Sequence, residues 1–270
     1  MKLSVSNIAW DAEEEETILP ALRDAGVLGI EVAPTKVWPG WVGATIEAAE
    51  ALRNRFAKLG LAIPAVQSLL FDRPELCLFA DKAGRRLLGE HLVMVGRLAR
   101  ALGARTLIFG SPRNRDRGCL QVEDAMRSAA SFLAVVAEDL ADLGVCLCIE
   151  ANPAAYDCNF VTRWIEAAEL VNRVGTPGIG LHLDVACTVL AGDDPVVAIR
   201  QCGTSLRHFH VSEPRLGGFS RPSIDHLRVG RALTESGYNQ WISIEMRRGQ
   251  NSCADIDEAV RYVKRCYLNG

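Results

Sequence analysis

Four short stretches of strand character constrain this chain most, because each ends in a residue that sits poorly in a hydrophobic interior. They are VCLCIE ending at Glu150, IGLHLD at Asp184, LRHFH at His210 and WISIE at Glu245. A charge at the end of a buried strand is costly unless something pairs with it. The gaps between the four residues are 34, 26 and 35 positions, each enough for one strand, one helix and two loops. Recurrence at that spacing predicts parallel β-α units. Four such ends brought together predict convergence on one divalent cation.

The rest of the chain keeps the same rhythm. Further strands are expected at 2–6, 27–32, 61–67 and 105–110. Helical patterns fill 44–59, 82–102, 122–143, 160–174, 194–201, 223–236 and 254–267. An earlier helix ends at Gly26, and its regular part is expected to start near Pro20, since proline is awkward inside a helix. Eight strands alternating with eight helices, with no dinucleotide fingerprint and no Walker loop, predict a closed (β/α)₈ barrel. One α/β domain is expected over residues 1–270.

Composition narrows the function classes. Hydrophobic residues make up 49% of the chain, enough for a large core, and the net charge is −3. The absence of a long basic cluster argues against nucleic-acid or membrane-surface partners. No apolar run reaches the roughly 18 to 20 residues of a membrane span. The opening MKLSVSNIAWDAEEEE turns acidic before a signal-peptide core could form. Nine irregularly spaced cysteines then read as reduced thiols, and a cytoplasmic protein is the expectation. Cys146 and Cys148 alternate on one strand and read as small buried hydrophobes.

In such a barrel the active site lies at the C-terminal ends of the strands. Three carboxylates and one imidazole make an oxygen-rich donor set. Mn²⁺ suits it best, and Mg²⁺, Co²⁺ or Zn²⁺ also fit. His182 and His208 precede Asp184 and His210 by two residues, so they face inward one layer deeper, as interior hydrogen-bonding groups or as support for the ligands. Glu31 ends the second strand and also faces inward, toward a substrate hydroxyl or a buried pair. Arg113 and Arg115 read as solvated or phosphate-facing. Asp225 and His226 read as the cap of a helix.

The motifs EAN at 150–152, LHLD at 181–184, HFHVSE at 208–213 and SIEM at 243–246, with GIE at 29–31 and FGSP at 109–112, make the chain resemble the xylose-isomerase-like superfamily. Within it, the chain is similar to the sugar-phosphate isomerase/epimerase group that includes the ketose 3-epimerases. The resemblance covers essentially the whole chain. It implies a (β/α)₈ barrel whose metal is held by Glu150, Asp184, His210 and Glu245. It further implies that Glu150 and Glu245 act as an acid/base pair on a sugar or sugar phosphate, through an enediolate. Glu31, Cys187, Arg215, Trp10 and Asn152 are then expected around the substrate. Trp10, like Trp38 and Trp41, also reads as simple loop packing.

Two departures stand out. The epimerases usually carry a histidine three residues after the strand-six aspartate, where this chain has Cys187. Their arginine after the strand-seven histidine is matched only near its offset, by Arg215. The metal set thus looks intact and the substrate shell altered. A lyase of the inosose dehydratase type on the same site is the alternative activity. A sugar-binding protein without turnover is the non-enzymatic one. An endonuclease IV-type nuclease is disfavoured by five histidines in all and by the lack of a basic face. A homo-oligomer is compatible with the sequence.

Overall fold

The computed structural model describes residues 1–268. Its eight parallel strands are β1 (Lys2–Ser6), β2 (Gly29–Glu31), β3 (Ala65–Val66), β4 (Thr106–Phe109), β5 (Cys146–Glu150), β6 (Ile179–Asp184), β7 (Leu206–Ser212) and β8 (Trp241–Glu245). They pair in the order β2-β1-β8-β7-β6-β5-β4-β3. Parallel bridges Gly29–Ala62 and Val32–Val66 join the two ends of that order. The result is a single, nearly closed TIM barrel, as the strand-helix alternation predicts.

Among the described residues, ten α-helices surround the strands: α1 (Glu15–Asp24), α2 (Pro34–Val37), α3 (Ile46–Lys58), α4 (Lys82–Leu102), α5 (Val122–Asp142), α6 (Trp164–Val174), α7 (Val185–Leu190), α8 (Pro195–Cys202), α9 (His226–Glu235) and α10 (Ser252–Val263). Three local expectations change. α1 runs through Pro20 instead of starting near it, because Ile18, Leu19 and Leu22 bury one face and outweigh the hydrogen bond that the proline lacks. β3 is far shorter than 61–67, since Pro64 has no N–H to give to a ladder. α7 occupies a stretch expected to be a loop, and Asp184 caps it by accepting from the Cys187 amide.

Side chains alternate along the strands. Val5, Ile30, Leu147, Leu181, Phe209 and Ile244 point outward against the helices and are fully buried. Ser4, Glu31, His182, His208, His210 and Ser243 are buried polar groups. The ladders pair Ser4 with Ser243 and Ser6 with Glu31, placing this polar set on the opposite face, inside the barrel. Barrels usually fill that space with branched aliphatics. A polar interior needs hydrogen-bond partners; here Glu31, His208 and His210 pair with one another, while His182, His210 Nδ1 and Ser243 Oγ have no well-angled partner among the described residues.

Candidate metal centre

The register assembles the site. Glu150 lies opposite His182, His182 opposite His208, Asp184 opposite His210, and Ser212 opposite Glu245. Two layers result, and His210 belongs to both.

The lower layer is a closed network. Glu31 Oε2 pairs with His208 Nε2 at 2.6 Å, and Glu31 Oε1 with His210 Nε2 at 2.7 Å. Burial opposes charge on Glu31, yet His210 and His208 outweigh it and hold the carboxyl well below its usual range. Burial likewise opposes charge on His210, and Glu31 and Glu245 hold it well above the ordinary histidine range. The expected substrate contact of Glu31 is therefore corrected. Both of its oxygens are taken by histidines and it is 0% exposed, so a buried pair is its role.

The upper layer crowds three carboxylates around one imidazole nitrogen. His210 Nδ1 faces Glu245 Oε2 at 3.3 Å, Asp184 Oδ2 at 3.7 Å and Glu150 Oε1 at 4.0 Å. It has no well-angled hydrogen-bond partner among the described residues. Burial and the nearby Glu245 and Asp184 push the Glu150 carboxyl up to about 8. Burial and Glu245 raise Asp184 as well. Donor atoms of Asp184, His210 and Glu245 lie within 4.8 Å of one another, as do those of Glu150, His182 and His210. An unpartnered buried imidazole nitrogen ringed by repelling carboxylates fits a divalent cation. His182 lies 3.6 Å from Glu150 Oε1, and neither of its ring nitrogens has a well-angled partner among the described residues. Burial pushes its pKa well down.

Side chains from neighbouring strand ends hold the carboxylates in place. Asp184 Oδ1 accepts from the Cys187 amide at 2.6 Å and Oδ2 from Ser212 Oγ at 2.7 Å. Asn152 Nδ2 donates to Glu150 Oε2 at 3.1 Å. Arg115 donates to the Glu150 carbonyl at 2.6 Å and to Asn152 Oδ1 at 2.9 Å. The solvated reading of Arg115 is thus corrected: it is 1% exposed and clamps the end of β5. A Cβ at Gly110 would overlap Glu150 Oε2, so glycine keeps room for that carboxylate. Ser212 was legible as the next inward residue after His208 and His210. Arg115 gave no signal, because it reaches the site from the end of a single helical turn, Pro112–Arg115, too short to show a periodic pattern.

Above the carboxylates opens a cavity of about 350 Å³ lined by Glu150, Asn152, Asp184, Cys187, Arg215 and Glu245, with Tyr156 and Glu213 among its other walls. Arg215 has a left-handed backbone (φ 59°), and its amide donates to the Tyr156 hydroxyl at 2.8 Å. Glu213 is bound by His226 at 2.9 Å and by Ser223, which fastens the loop that carries Arg215. His226 lies inside this network, its Nδ1 2.8 Å from the Tyr267 hydroxyl, while Asp225 alone caps α9. Trp10 is corrected too: it is 1% exposed and does not line this cavity.

The family model of the xylose isomerase-like TIM barrel matches residues 19–266. The chain belongs to that family. Among solved structures, this family member is similar to an L-ribulose 3-epimerase, at 23% identity and TM-score 0.81, covering 100% of this chain and 95% of that one. It is similar to a D-psicose 3-epimerase studied in the presence of D-fructose, at 19% identity and TM-score 0.81, covering 100% of both chains. It is also similar to the IOLI protein with a bound zinc atom, at 17% identity and TM-score 0.79, covering 99% and 100%. At these identities the likeness shows the shared fold. A comparison with curated protein sequences finds no match.

Proposed function

We propose that the chain is a divalent-metal-dependent sugar isomerase or epimerase that moves a proton on a carbon next to a carbonyl. The observation that carries this reading is the unpartnered Nδ1 of His210 facing oxygens of Glu150, Asp184 and Glu245 at 4.0 Å or less. Those four residues would hold the cation, and the zinc-bound relative supports that reading. A bound cation would polarise the carbonyl and stabilise an enediolate as its charge develops.

The chain's own groups then divide the work. Glu150 and Glu245 stand on β5 and β8 and reach the mouth from two sides. One takes the proton and the other returns one, to the opposite face of the same carbon or to its neighbour. Burial and the neighbouring Glu245 and Asp184 raise the Glu150 carboxyl in the cation-free site, and a bound cation would return it toward the ionised form that accepts a proton. Asn152 and Arg115 fix Glu150, so its proton moves at a defined place. Arg215 and Tyr156 face the remaining hydroxyls of a sugar in the cavity. The epimerase relatives support a small carbohydrate substrate.

The test is turnover of a panel of ketoses and ketose phosphates with Mn²⁺, Co²⁺ or Zn²⁺, with products separated as epimers, isomers or dehydrated species. Glu150→Gln and Glu245→Gln should each lower kcat by about two orders of magnitude or more while keeping a cooperative melt. Wild-type turnover in either variant would remove that residue from the acid/base role.

A further inference from the structure

We infer that the thiol of Cys187 is an additional ligand of the cation site and tunes it toward softer divalent ions, Zn²⁺ and Co²⁺, over Mn²⁺ and Mg²⁺. This rests on the cation-binding reading above and specifies the donor set.

Three observations converge. Donor atoms of Glu150, Asp184 and Cys187 lie within 4.8 Å of one another. Two donors bound to one ion at about 2.0 to 2.3 Å stand at most about 4.6 Å apart, so this spacing closes with small side-chain adjustments. The same two carboxylates face the unpartnered Nδ1 of His210, whose side chain is 1% exposed. The imidazole and the thiol thus address one pair of carboxylates. Finally, Cys187 is held in place without using its sulfur. Its amide donates to Asp184 Oδ1 at 2.6 Å, while Sγ has only a long contact, 3.8 Å, with Asn152 Nδ2. Cys187 lines the cavity, so an ion entering the mouth meets it.

The chemistry follows from the donor types. Three carboxylates and an imidazole suit Mn²⁺ and Mg²⁺, and a thiolate in the set favours Zn²⁺ and Co²⁺. Coordination releases the thiol proton to solvent, as binding at His210 Nδ1 also does. The cysteine that breaks the expected pattern of substrate contacts then acts on the metal rather than on the sugar.

The experiment is optical. Full-length protein is stripped with chelator, desalted and loaded with one equivalent of Co²⁺. The expected result is a near-ultraviolet sulfur-to-cobalt charge-transfer band in the unmodified protein. The band is lost in Cys187→Ser and in Cys187→Ala while Co²⁺ stays bound. In competition, the preference for Zn²⁺ over Mn²⁺ should fall by about an order of magnitude in both variants. Stoichiometric Co²⁺ without the band overturns the assignment and leaves the cation-binding reading standing. A band that persists in both variants comes from another thiol and also overturns it. Failure of the unmodified protein to bind Co²⁺, Zn²⁺ or Mn²⁺ overturns the cation-binding reading, and the role of Cys187 with it. If neither variant folds, Cys187→Thr takes their place in assigning the band, and its absence from the Co²⁺-loaded unmodified protein still overturns the proposal.

Discussion

The two layers of the barrel interior contain the same kinds of residue and differ in balance. Below, one carboxylate, Glu31, meets two histidines and every ring contact is short. Above, three carboxylates share one imidazole nitrogen that none of them engages well. In the lower layer Glu31 is fully paired, by His208 and by Nε2 of His210. On the proposed reading, a bound cation completes the upper layer. His210 couples them: its Nε2 is fixed by Glu31, and that fixes where Nδ1 points. The contrast shows how a buried site is made both rigid and hungry for a ligand. Rigidity comes from a neutralised layer beneath, and affinity from unneutralised charge above.

Breaking the lower layer should have the largest effect. Glu31→Ala leaves two buried histidines without their acceptor. Removing one partner of a buried pair costs about 3 to 5 kcal/mol. Urea melts of the chelated variant should show that loss, together with weaker cation binding as His210 loses its orientation. An unchanged melt would show that the histidines find other partners and that the layer is not a support.

Breaking the upper layer should do the reverse. Asp184→Ala should leave the chelated protein about as stable as the wild type, since it relieves repulsion while losing the cap of α7. It should lose the stabilisation that a cation provides, which is about 2.7 kcal/mol at a free concentration one hundred times Kd. Thermal melts with and without Mn²⁺ or Zn²⁺ measure this. Equal cation-induced shifts in variant and wild type would take Asp184 out of the site.

The sequence made the upper layer legible and the lower one only in part, for a physical reason. Glu150, Asp184, His210 and Glu245 announce themselves because each interrupts a buried strand with a charge. The inward face of His182 and His208 followed from strand alternation. The pairing of His208 and His210 with Glu31 did not, because Glu31 lies 177 and 179 residues from them and meets them only when the barrel closes. Arg115 was misjudged because an arginine in a loop normally keeps to water, and only the carbonyls around the end of β5 explain its burial. Pro64 was in view, yet its effect on β3 depends on which N–H groups the ladder needs, and that is settled by neighbouring strands.

The smallest effect per step, and the sharpest test of imbalance, is the pH dependence of the chelated protein. The folded-state pKa of Glu150 is raised from 4.5 to about 8. Between those values the native state holds a proton that the unfolded chain has released, so stability falls as pH rises through this window. The raised His210 acts in the same direction. Its stabilising charge is present below the unfolded histidine pKa and is lost as pH rises through the folded one. Glu31 is depressed and works the other way, but only as pH falls below the ordinary carboxylate range. One such group gives a slope of up to about 1.4 kcal/mol per pH unit. Denaturation of the chelated protein from about pH 5 to about pH 8 should therefore show declining stability, and Glu150→Gln should flatten the decline because glutamine has no proton to hold or release. Adding cation should turn the trend around, since binding takes the deprotonated ligands and its stabilising increment grows with pH. A chelated protein whose stability rises across this range would mean that the upper carboxylates are already compensated, and the distinction between the two layers would fail.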